Sequence, residues 1–226
     1  MFAVMKKELK SYLLSPVGYV FMGLFLLIFS IFFYSNIFLS RSVRFEFLFA
    51  EGSTILTFVI PLLTMRMFSE ERKNGTEQLL LTSPRNIFSI VFGKFFAAAV
   101  IVAITEVLTL MYFVILKFFG KPSIEVAFAT LFGFFLLSLS YISFGMFASS
   151  ITENQIVSAV ITIFIFMGIW FLPYIFEGLG IFSVMNAFED FLYGLVSLES
   201  IIKFISFTLI FILLTIVSLQ RRKSVK

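Results

Sequence analysis

Long apolar runs alternate with short polar segments along the whole chain. Six of these runs approach the roughly 20 residues that an α-helix needs to cross the hydrocarbon core of a bilayer. They cover residues 17–39, 52–68, 95–116, 126–149, 156–176 and 201–219. The pattern predicts an all-α integral membrane protein with six transmembrane helices, in a single domain over residues 1–226.

The first 15 residues have an amphipathic pattern that differs from the runs after them. At helical spacing the apolar side chains share one face and the basic side chains lie nearby; these are Phe2, Met5, Leu9 and Leu13, with Lys6, Lys7 and Lys10. This combination is typical of a helix that lies in the membrane interface. Residues 1–15 are therefore predicted as an interfacial helix, with Ser15 and Pro16 as the cap and first-turn proline before the span 17–39.

The longest polar interruption is SEERKNGTEQLLLTSPR, residues 69–85. Gly75 ends its charged first part, Thr76 begins a second helical piece of about two turns, and Pro84 stops that piece. A helix this short is not stable alone in water and must pack against a partner. The residues by themselves leave two hypotheses open: the segment docks a protein partner, or it lies against lipid.

Residues 177–200 are apolar, but glycines and acidic residues interrupt them too often for a span. Besides Glu177 at the start of the segment, the acidic residues are Glu189, Asp190 and Glu199. Irregular or short helical backbone at membrane depth survives only where it is buried in protein or lines water. We expect short re-entrant helices that cap the outer face, with an ordinary outer loop as the alternative.

The composition excludes a soluble globular protein. Of the 226 residues 60% are hydrophobic, 35 are Phe and only 13% are charged, which is about half the charged fraction of typical soluble domains. The sequence has no Cys and no His, so disulfides, thiolate nucleophiles, zinc sites and imidazole acid–base chemistry are excluded. We expect no catalytic, cofactor-binding or metal-binding residues and no enzyme activity in this chain.

The distribution of Lys and Arg predicts the orientation in the membrane. The net charge of +4 does not indicate a nucleic-acid partner, because the basic residues cluster beside the apolar runs, where they face lipid headgroups. An even number of spans places both termini and the polar segment on one side, which holds 12 of the 17 Lys and Arg residues. By the positive-inside rule this side is cytoplasmic.

Three separated stretches resemble one family of membrane transporters. MFSEERKNGTEQLLLTSP, residues 67–84, resembles the hallmark of ABC-2 type transporter permeases, in which a charged cytoplasmic turn, Gly-Thr and a Leu-Leu-Thr-Ser-Pro ending form the coupling helix. KKELKSYLLSPVGYVF, residues 6–21, and FEDFLYGLVSLESIIKF, residues 188–204, resemble the branch of gliding-motility-associated ABC permeases. In that branch they correspond to the N-terminal helix with the first span and to the outer re-entrant segment.

The resemblance implies a fold like that of type V exporters and a function as the permease subunit of an ATP-binding cassette exporter in a prokaryotic plasma membrane. The permease would pair with a second copy of itself or a similar subunit over separate cytosolic ATPases and move substrate by alternating access. The sequence has no GxxxxGK[ST] motif, and Gly93-Lys94 is followed by Phe95, so ATP and Mg²⁺ are expected on the partner ATPase. The alternative function is a channel or membrane scaffold that uses no ATP and whose cytoplasmic segment holds a partner protein.

The resemblance also implies which residues couple the permease to the ATPase. The charged turn would make polar contacts with the ATPase rim, the glycine would permit a sharp turn, and the leucines would fill a groove. These candidate residues are Glu70, Glu71, Arg72, Gly75, Thr76, Leu79, Leu80 and Leu81.

One acidic residue, Glu106, falls near the middle of an apolar run. Burying its ionised carboxylate in lipid costs about 3 kcal/mol on insertion scales. A substrate contact, a proton site or a polar tie between helices would explain this position. So would a carboxyl group that is protonated, or bonded to Thr105, Thr109 or a Ser or Thr of a neighbouring helix, and both interpretations stay open.

Overall fold

The structure of the chain is a computed structural model that describes residues 1–39, 43–78, 86–175 and 184–225. Within these ranges every regular element is helical. The helices are α1 (Phe2–Leu14), α2 (Pro16–Tyr34), α3 (Phe45–Thr64), α4 (Ser69–Lys73), α5 (Ile87–Phe119), α6 (Ile124–Ile151), α7 (Gln155–Ile175), α8 (Val184–Leu192) and α9 (Leu198–Val225). A π-helical turn, Ser35–Leu39, follows α2.

Five helical stretches in the described residues are long and apolar enough to cross a membrane. They are Pro16–Ile37, Phe45–Lys73, Ile87–Phe119, Ile124–Ile151 and Leu198–Arg222, and each corresponds to a predicted span. The sixth prediction, residues 156–176, falls on α7, whose apolar part is described over the shorter stretch Gln155–Phe171. The all-helical fold with several apolar helices agrees with the predicted multi-pass membrane protein.

The second span begins earlier than its predicted start at residue 52. α3 starts at Phe45, and the apolar side chains of Phe45, Leu48 and Phe49 are buried. Glu51 interrupts the apolar run in the sequence, but this residue is exposed. The helix continues through the acidic residues because its other face is packed in the core.

The helix α1 lies against the bundle. Tyr12 donates a hydrogen bond from its hydroxyl to the backbone carbonyl of Leu63, 3.2 Å away, at the end of α3. Of the predicted apolar face, Met5, Leu9 and Leu13 pack on the core, whereas Phe2 is 73% exposed. α1 therefore presents most of its apolar face to protein and keeps one aromatic side chain outside.

The opposite end of the bundle is covered by α8. The backbone carbonyl of Phe191 accepts a hydrogen bond from the Thr130 hydroxyl of α6, 3.2 Å away. Gly133 leaves room for this packing, because a Cβ atom there would overlap the Phe191 ring. α8 belongs to the predicted outer segment 177–200, of which residues 177–183 lie outside the described residues.

A tight turn carries the chain from α8 into α9. Gly194 has a φ of +77°, a left-handed conformation that glycine adopts without steric cost. The Asp190 carboxylate accepts hydrogen bonds from the hydroxyls of Ser197, at 3.1 Å, and Ser200, at 2.7 Å. The acidic residue that breaks the apolar pattern here holds the start of α9.

Glu153 and α8 lie at opposite ends of α6. Beyond the end of α6, Glu153 forms a 3.0 Å ion pair with Arg72, which follows the end of α3. α8, in contrast, packs near the start of α6 through Thr130.

Stacked and edge-on phenylalanine rings form the centre of the fold. The ring centroids are 4.3 Å apart for Phe25 and Phe29, 5.2 Å for Phe29 and Phe49, and 4.9 Å for Phe49 and Phe134. Such pairs add to the free energy gained from burial alone. They hold α2, α3 and α6 together near the start of α3.

Candidate functional site

The polar segment forms a sharp corner at the end of α3, which we call the elbow and define as residues 65–78. The chain leaves α3 after Thr64 and enters the short helix α4 at Ser69. Gly75 then takes a φ of +71°, a conformation that favours glycine, and its N–H donates to the Arg72 carbonyl at 3.1 Å. The chain therefore turns sharply at Gly75.

A serine side chain of α6 caps the first turn of α4 in the elbow. The hydroxyl oxygen of Ser149 accepts hydrogen bonds from the backbone N–H groups of Phe68, at 3.0 Å, and Ser69, at 3.1 Å, and its own proton goes to the Met65 carbonyl at 3.1 Å. The first N–H groups of a helix have no acceptor within that helix. Ser149 supplies the missing acceptor and thereby fixes α4 to α6.

Close helix packing supports the same corner. A Cβ atom on Gly145 would overlap the Thr64 hydroxyl and lie 2.9 Å from the Thr64 Cβ. The last residue of α3 is thus in direct contact with the backbone of α6. A displacement of the elbow has to be passed to α6, because this contact leaves no slack.

A buried lysine lies beneath the elbow. Lys94 of α5 is 2% exposed, and its Nζ atom lies 2.8 Å from the Glu71 carboxylate and 3.3 Å from the Glu8 carboxylate of α1. The Phe68 ring centroid is 5.3 Å from the same ammonium. Two carboxylates and an aromatic ring compensate the loss of water around the charge.

A second ion pair braces the turn before α4. The guanidinium of Arg66 makes two hydrogen bonds of 2.7 Å to the two carboxylate oxygens of Glu70, the bidentate geometry that is strongest for this pair. Tyr12 lies nearby, and burial together with the Glu8 carboxylate raises the pKa of its phenol well above the ordinary value. The Tyr12 hydroxyl therefore remains a hydrogen-bond donor.

The elbow is also tied to the C-terminal helix. Glu77 lies 3.1 Å from Arg222 of α9 and 3.7 Å from Arg72. Arg72 in turn contacts Glu153, two residues beyond the end of α6. Besides α1, the helices α5 and α9 and the segment after α6 thus reach the elbow through charged side chains.

A groove with a volume of about 430 Å³ opens beside this charged network. The residues that line it carry both charges, apart from Gly75 and Gln78, and are Arg72, Gly75, Glu77, Gln78, Glu153, Arg221 and Arg222. The tip of the elbow, from Lys73 to Thr76, is exposed at its edge. Guanidinium and carboxylate groups thus lie side by side next to an exposed turn.

The structure places the candidate coupling residues in two groups. Glu70, Glu71 and Arg72 make ion pairs within the chain, whereas Gly75 and Thr76 are exposed. The candidates Leu79, Leu80 and Leu81 lie outside the described residues. The described part of the site therefore has a braced base, residues 70–72, which ion pairs hold in place, and an exposed tip, residues 73–76.

Glu106 lies apart from this site, inside α5. It is 6% exposed, and its Oε1 atom has no hydrogen-bond partner among the described residues. The Thr105 hydroxyl donates to the Ile101 carbonyl and the Thr109 hydroxyl to the backbone carbonyl of Glu106. Neither of the two threonines proposed as partners of the carboxylate therefore holds Oε1.

Sequence reasoning missed the residues that complete the site from other helices. In the sequence Lys94 and Arg222 only add to the positive charge that orients the protein, and nothing indicates a role for Glu8, Ser149 or Glu153. The signal for Lys94 was a lysine inside an otherwise apolar stretch, which requires an acidic partner if it is buried. Its partners could not be read from the sequence, because one of them lies 23 positions away, in another element.

No group of His, Cys, Asp and Glu that could hold a metal ion occurs in the part of the chain that the structure describes. The ion pairs of the elbow join Arg66 to Glu70, Glu71 to Lys94 and Arg72 to Glu153.

Comparison with known protein families gives one match for this chain. A family model described as an ABC-2 family transporter protein matches residues 45–219, which is most of the chain. The matched region begins at the first residue of α3 and includes the elbow. No curated protein matches the chain.

Proposed function

Because this chain belongs to the ABC-2 family of transporter proteins, as a membrane permease subunit of an ABC transporter, we propose that its elbow is where a separate cytosolic ATPase docks. Permeases of this family in general work with an ATPase partner and typically as dimers. The single observation that carries the proposal is the braced base and exposed tip of the elbow. A coupling element needs both, because it has to be accessible to the partner and rigid against the bundle.

The proposed docking surface combines the tip of the elbow with the groove beside it. The exposed residues Lys73, Gly75 and Thr76 would meet the ATPase first. The groove offers guanidinium and carboxylate groups side by side, which match a partner rim that also carries both charges. Leu79, Leu80 and Leu81 continue the segment and are proposed to fill an apolar groove of the ATPase.

The proposed orientation puts the elbow and both termini in the cytoplasm of a prokaryotic cell, with the protein in the plasma membrane. Three contacts support a common side: Tyr12 bonds to the end of α3, Arg72 pairs with Glu153, and Glu77 pairs with Arg222. The N-terminal helix, the elbow and the C-terminal helix thus share one end. A sixth crossing through α7 is part of this proposal, and the position of α8 at the opposite end supports it.

We propose that the permease exports its substrate by alternating access as a dimer. ATP-driven closure of the two ATPases would push the elbows and, through Gly145 and Ser149, move α6. α6 carries α8 on its other end through Thr130, so a displacement on one side can open the other. The stretches 6–21 and 188–204 support a place in the gliding-motility-associated branch of the family.

Glu106 is kept as a candidate functional residue inside the membrane, because Oε1 is buried without a partner in the described part of the chain. Comparison of Glu106→Gln with Glu106→Ala tests this role. Loss of nucleotide-dependent transport in both variants, with unchanged folding, is expected if the carboxylate acts in the mechanism. Full activity in both would remove it from the mechanism.

The proposed function is tested by assembly. The permease is placed in lipid nanodiscs and mixed with a purified ATP-binding cassette ATPase of the same organism, and the particle mass is measured. We expect a complex of two permeases and two ATPases. A permease that never acquires ATPase mass, at micromolar concentrations of both proteins, would instead favour the channel or scaffold alternative.

A further inference from the structure

The helix α1 is joined to the elbow through one buried charge. Glu8 of α1 and Glu71 of the elbow both contact Nζ of Lys94, at 3.3 Å and 2.8 Å. The side chains of Glu8 and Glu71 are largely buried, and that of Lys94 almost completely. Three elements of the chain, α1, the elbow and α5, thus share one ammonium group.

Close backbone packing brings α1 to this position. A Cβ atom on Gly93 would lie 2.8 Å from the Val4 Cβ, so α1 touches α5 one residue before Lys94. The basic residues of α1, Lys6, Lys7 and Lys10, are exposed. Its single acidic residue, Glu8, is turned toward the bundle instead, so the sequence of α1 separates a face toward solvent or headgroups from a face toward Lys94.

A buried ammonium held by two carboxylates resists separation from either of them. Removal of one partner leaves a charge of the remaining groups uncompensated in a poorly hydrated site, which is energetically unfavourable. A movement of the elbow that carried Glu71 away from Lys94, or Lys94 away from Glu8, would meet this cost. The lower-cost path is a joint movement of all three elements.

We propose that Glu8, Lys94 and Glu71 form a positioning triad that makes α1 and α5 move together with the elbow when the ATPase displaces it. The proposal rests on the proposed function for the source of the displacement. It goes beyond that function because α1 lies outside the matched family region, residues 45–219. α1 is thereby assigned to the coupling machinery as well as to the membrane interface.

The test compares hydrogen exchange of α1 and of the elbow in Glu8→Gln. This substitution keeps the size of the side chain and the pair between Lys94 and Glu71. It removes the tie between Lys94 and α1, together with the longer 3.9 Å pair of Glu8 with the exposed Lys7. The matched control is Glu199→Gln. Glu199 also pairs with a lysine, Lys203, but its side chain is exposed and lies at the opposite end of the bundle. In the permease alone, exchange of α1 amides is expected to rise about tenfold in Glu8→Gln, as for the loss of one charged hydrogen bond, and to stay unchanged in the control.

The decisive readout is the response to nucleotide in the assembled complex. Trapping the ATPase with ADP and vanadate should change exchange in both the elbow and α1 of the unaltered protein. In Glu8→Gln the elbow should still respond and α1 should not. Glu8→Asp, which keeps the carboxylate, should restore a response of α1 and provides a second variant if Glu8→Gln folds poorly.

Each other outcome has a distinct meaning. A response of α1 that survives in Glu8→Gln overturns the triad, and so does an elbow response without any α1 response in the unaltered protein. Glu8→Gln could also raise α1 exchange by the same factor, relative to the unaltered protein, with and without nucleotide. Glu8 would then be a simple anchor of α1, and this result also overturns the triad. If the complex forms but nucleotide changes neither the elbow nor α1, the proposed coupling function of the elbow fails as well.

Discussion

The Nζ atom of Lys94 lies 2.8 Å from Oε1 of Glu71, and this contact fastens the elbow to the third long helix of the bundle. Lys94 is reached by Glu8 from the other side. The arrangement replaces the water that a lysine would normally keep with two carboxylates from different elements. The stability of the elbow and its connection to the bundle should therefore depend on this one ammonium group.

Lys94→Met is expected to lower the free energy of unfolding by about 3 kcal/mol, because it leaves Glu8 and Glu71 largely buried without their counter-charge. Thermal unfolding in detergent measures the loss. Lys203→Met, which removes an exposed pair with Glu199, is the matched control and should cost less than about 1 kcal/mol. Equal losses in the two variants would show that Lys94 is not a buried charge.

A triple variant separates the effect of charge from that of side-chain shape at Lys94. The triple variant with Lys94→Met, Glu8→Gln and Glu71→Gln removes all three charges together. Because neutral groups of similar size need no counter-charge, we expect most of the lost stability to return. A triple variant as unstable as Lys94→Met alone would mean that shape, and not charge, explains the loss.

Ser149→Ala should loosen the elbow. Without the hydroxyl, the N–H groups of Phe68 and Ser69 lose their acceptor, at a cost of about 2 kcal/mol for unsatisfied buried donors. Hydrogen exchange of residues 65–78 should become faster. The control is the neighbouring Ser150→Ala, whose hydroxyl bonds only within its own helix, to Phe147 at 2.7 Å among the described contacts; faster exchange of the elbow in this control would contradict the capping role.

Gly145→Ala should force α3 and α6 apart. The added methyl group overlaps the Thr64 hydroxyl, and overpacking of this kind costs about 1–3 kcal/mol. The second substitution Thr64→Ala in the same chain should recover part of the loss, because it removes the overlapping atoms. Gly23→Ala is the control, since no described atom lies within 4 Å of the new Cβ; a thermal unfolding shift as large as that of Gly145→Ala would contradict the close contact.

The six-crossing topology is tested by fusions to a reporter enzyme that is active only outside the cytoplasm. Fusions after Arg85 and Glu153 should give no activity, and fusions after Lys121 and Tyr193 should give strong activity. The pair after Glu153 and Tyr193 tests the crossing through α7. Equal activity at these two positions would show that α7 does not cross, and activity after Arg85 would reverse the proposed orientation.

The positions of the helices could largely be predicted from the sequence, because hydrophobic periodicity is a local property. The start of α3 is the clearest exception. The predicted span begins at residue 52, directly after Glu51, whereas the structure buries Phe45 and Phe49 on the other face of the same helix. An acidic residue does not end a helix when the helix face that carries it is exposed. Which face is exposed depends on packing against other helices.

The contacts of the elbow depend on tertiary structure and could be predicted only in part. Gly75 can be singled out from the sequence because glycine has a specific backbone role, and in the structure its φ is +71°. Ser149 gave no signal, since a serine in a membrane helix most often bonds to its own backbone. The partners of Lys94 come from two other elements, and no local pattern contains that information.

The most direct measurement of the central claim is the affinity of the purified ATPase for the permease in nanodiscs. The variant Lys73→Glu with Thr76→Glu alters the exposed tip of the elbow, and Lys121→Glu with Ser123→Asp changes the charge equally at the opposite end. We predict that the tip variant raises Kd at least about tenfold, equivalent to about 1.4 kcal/mol, and that the control leaves Kd unchanged. An unchanged Kd in the tip variant, or an equal increase in both variants, would contradict docking at the elbow.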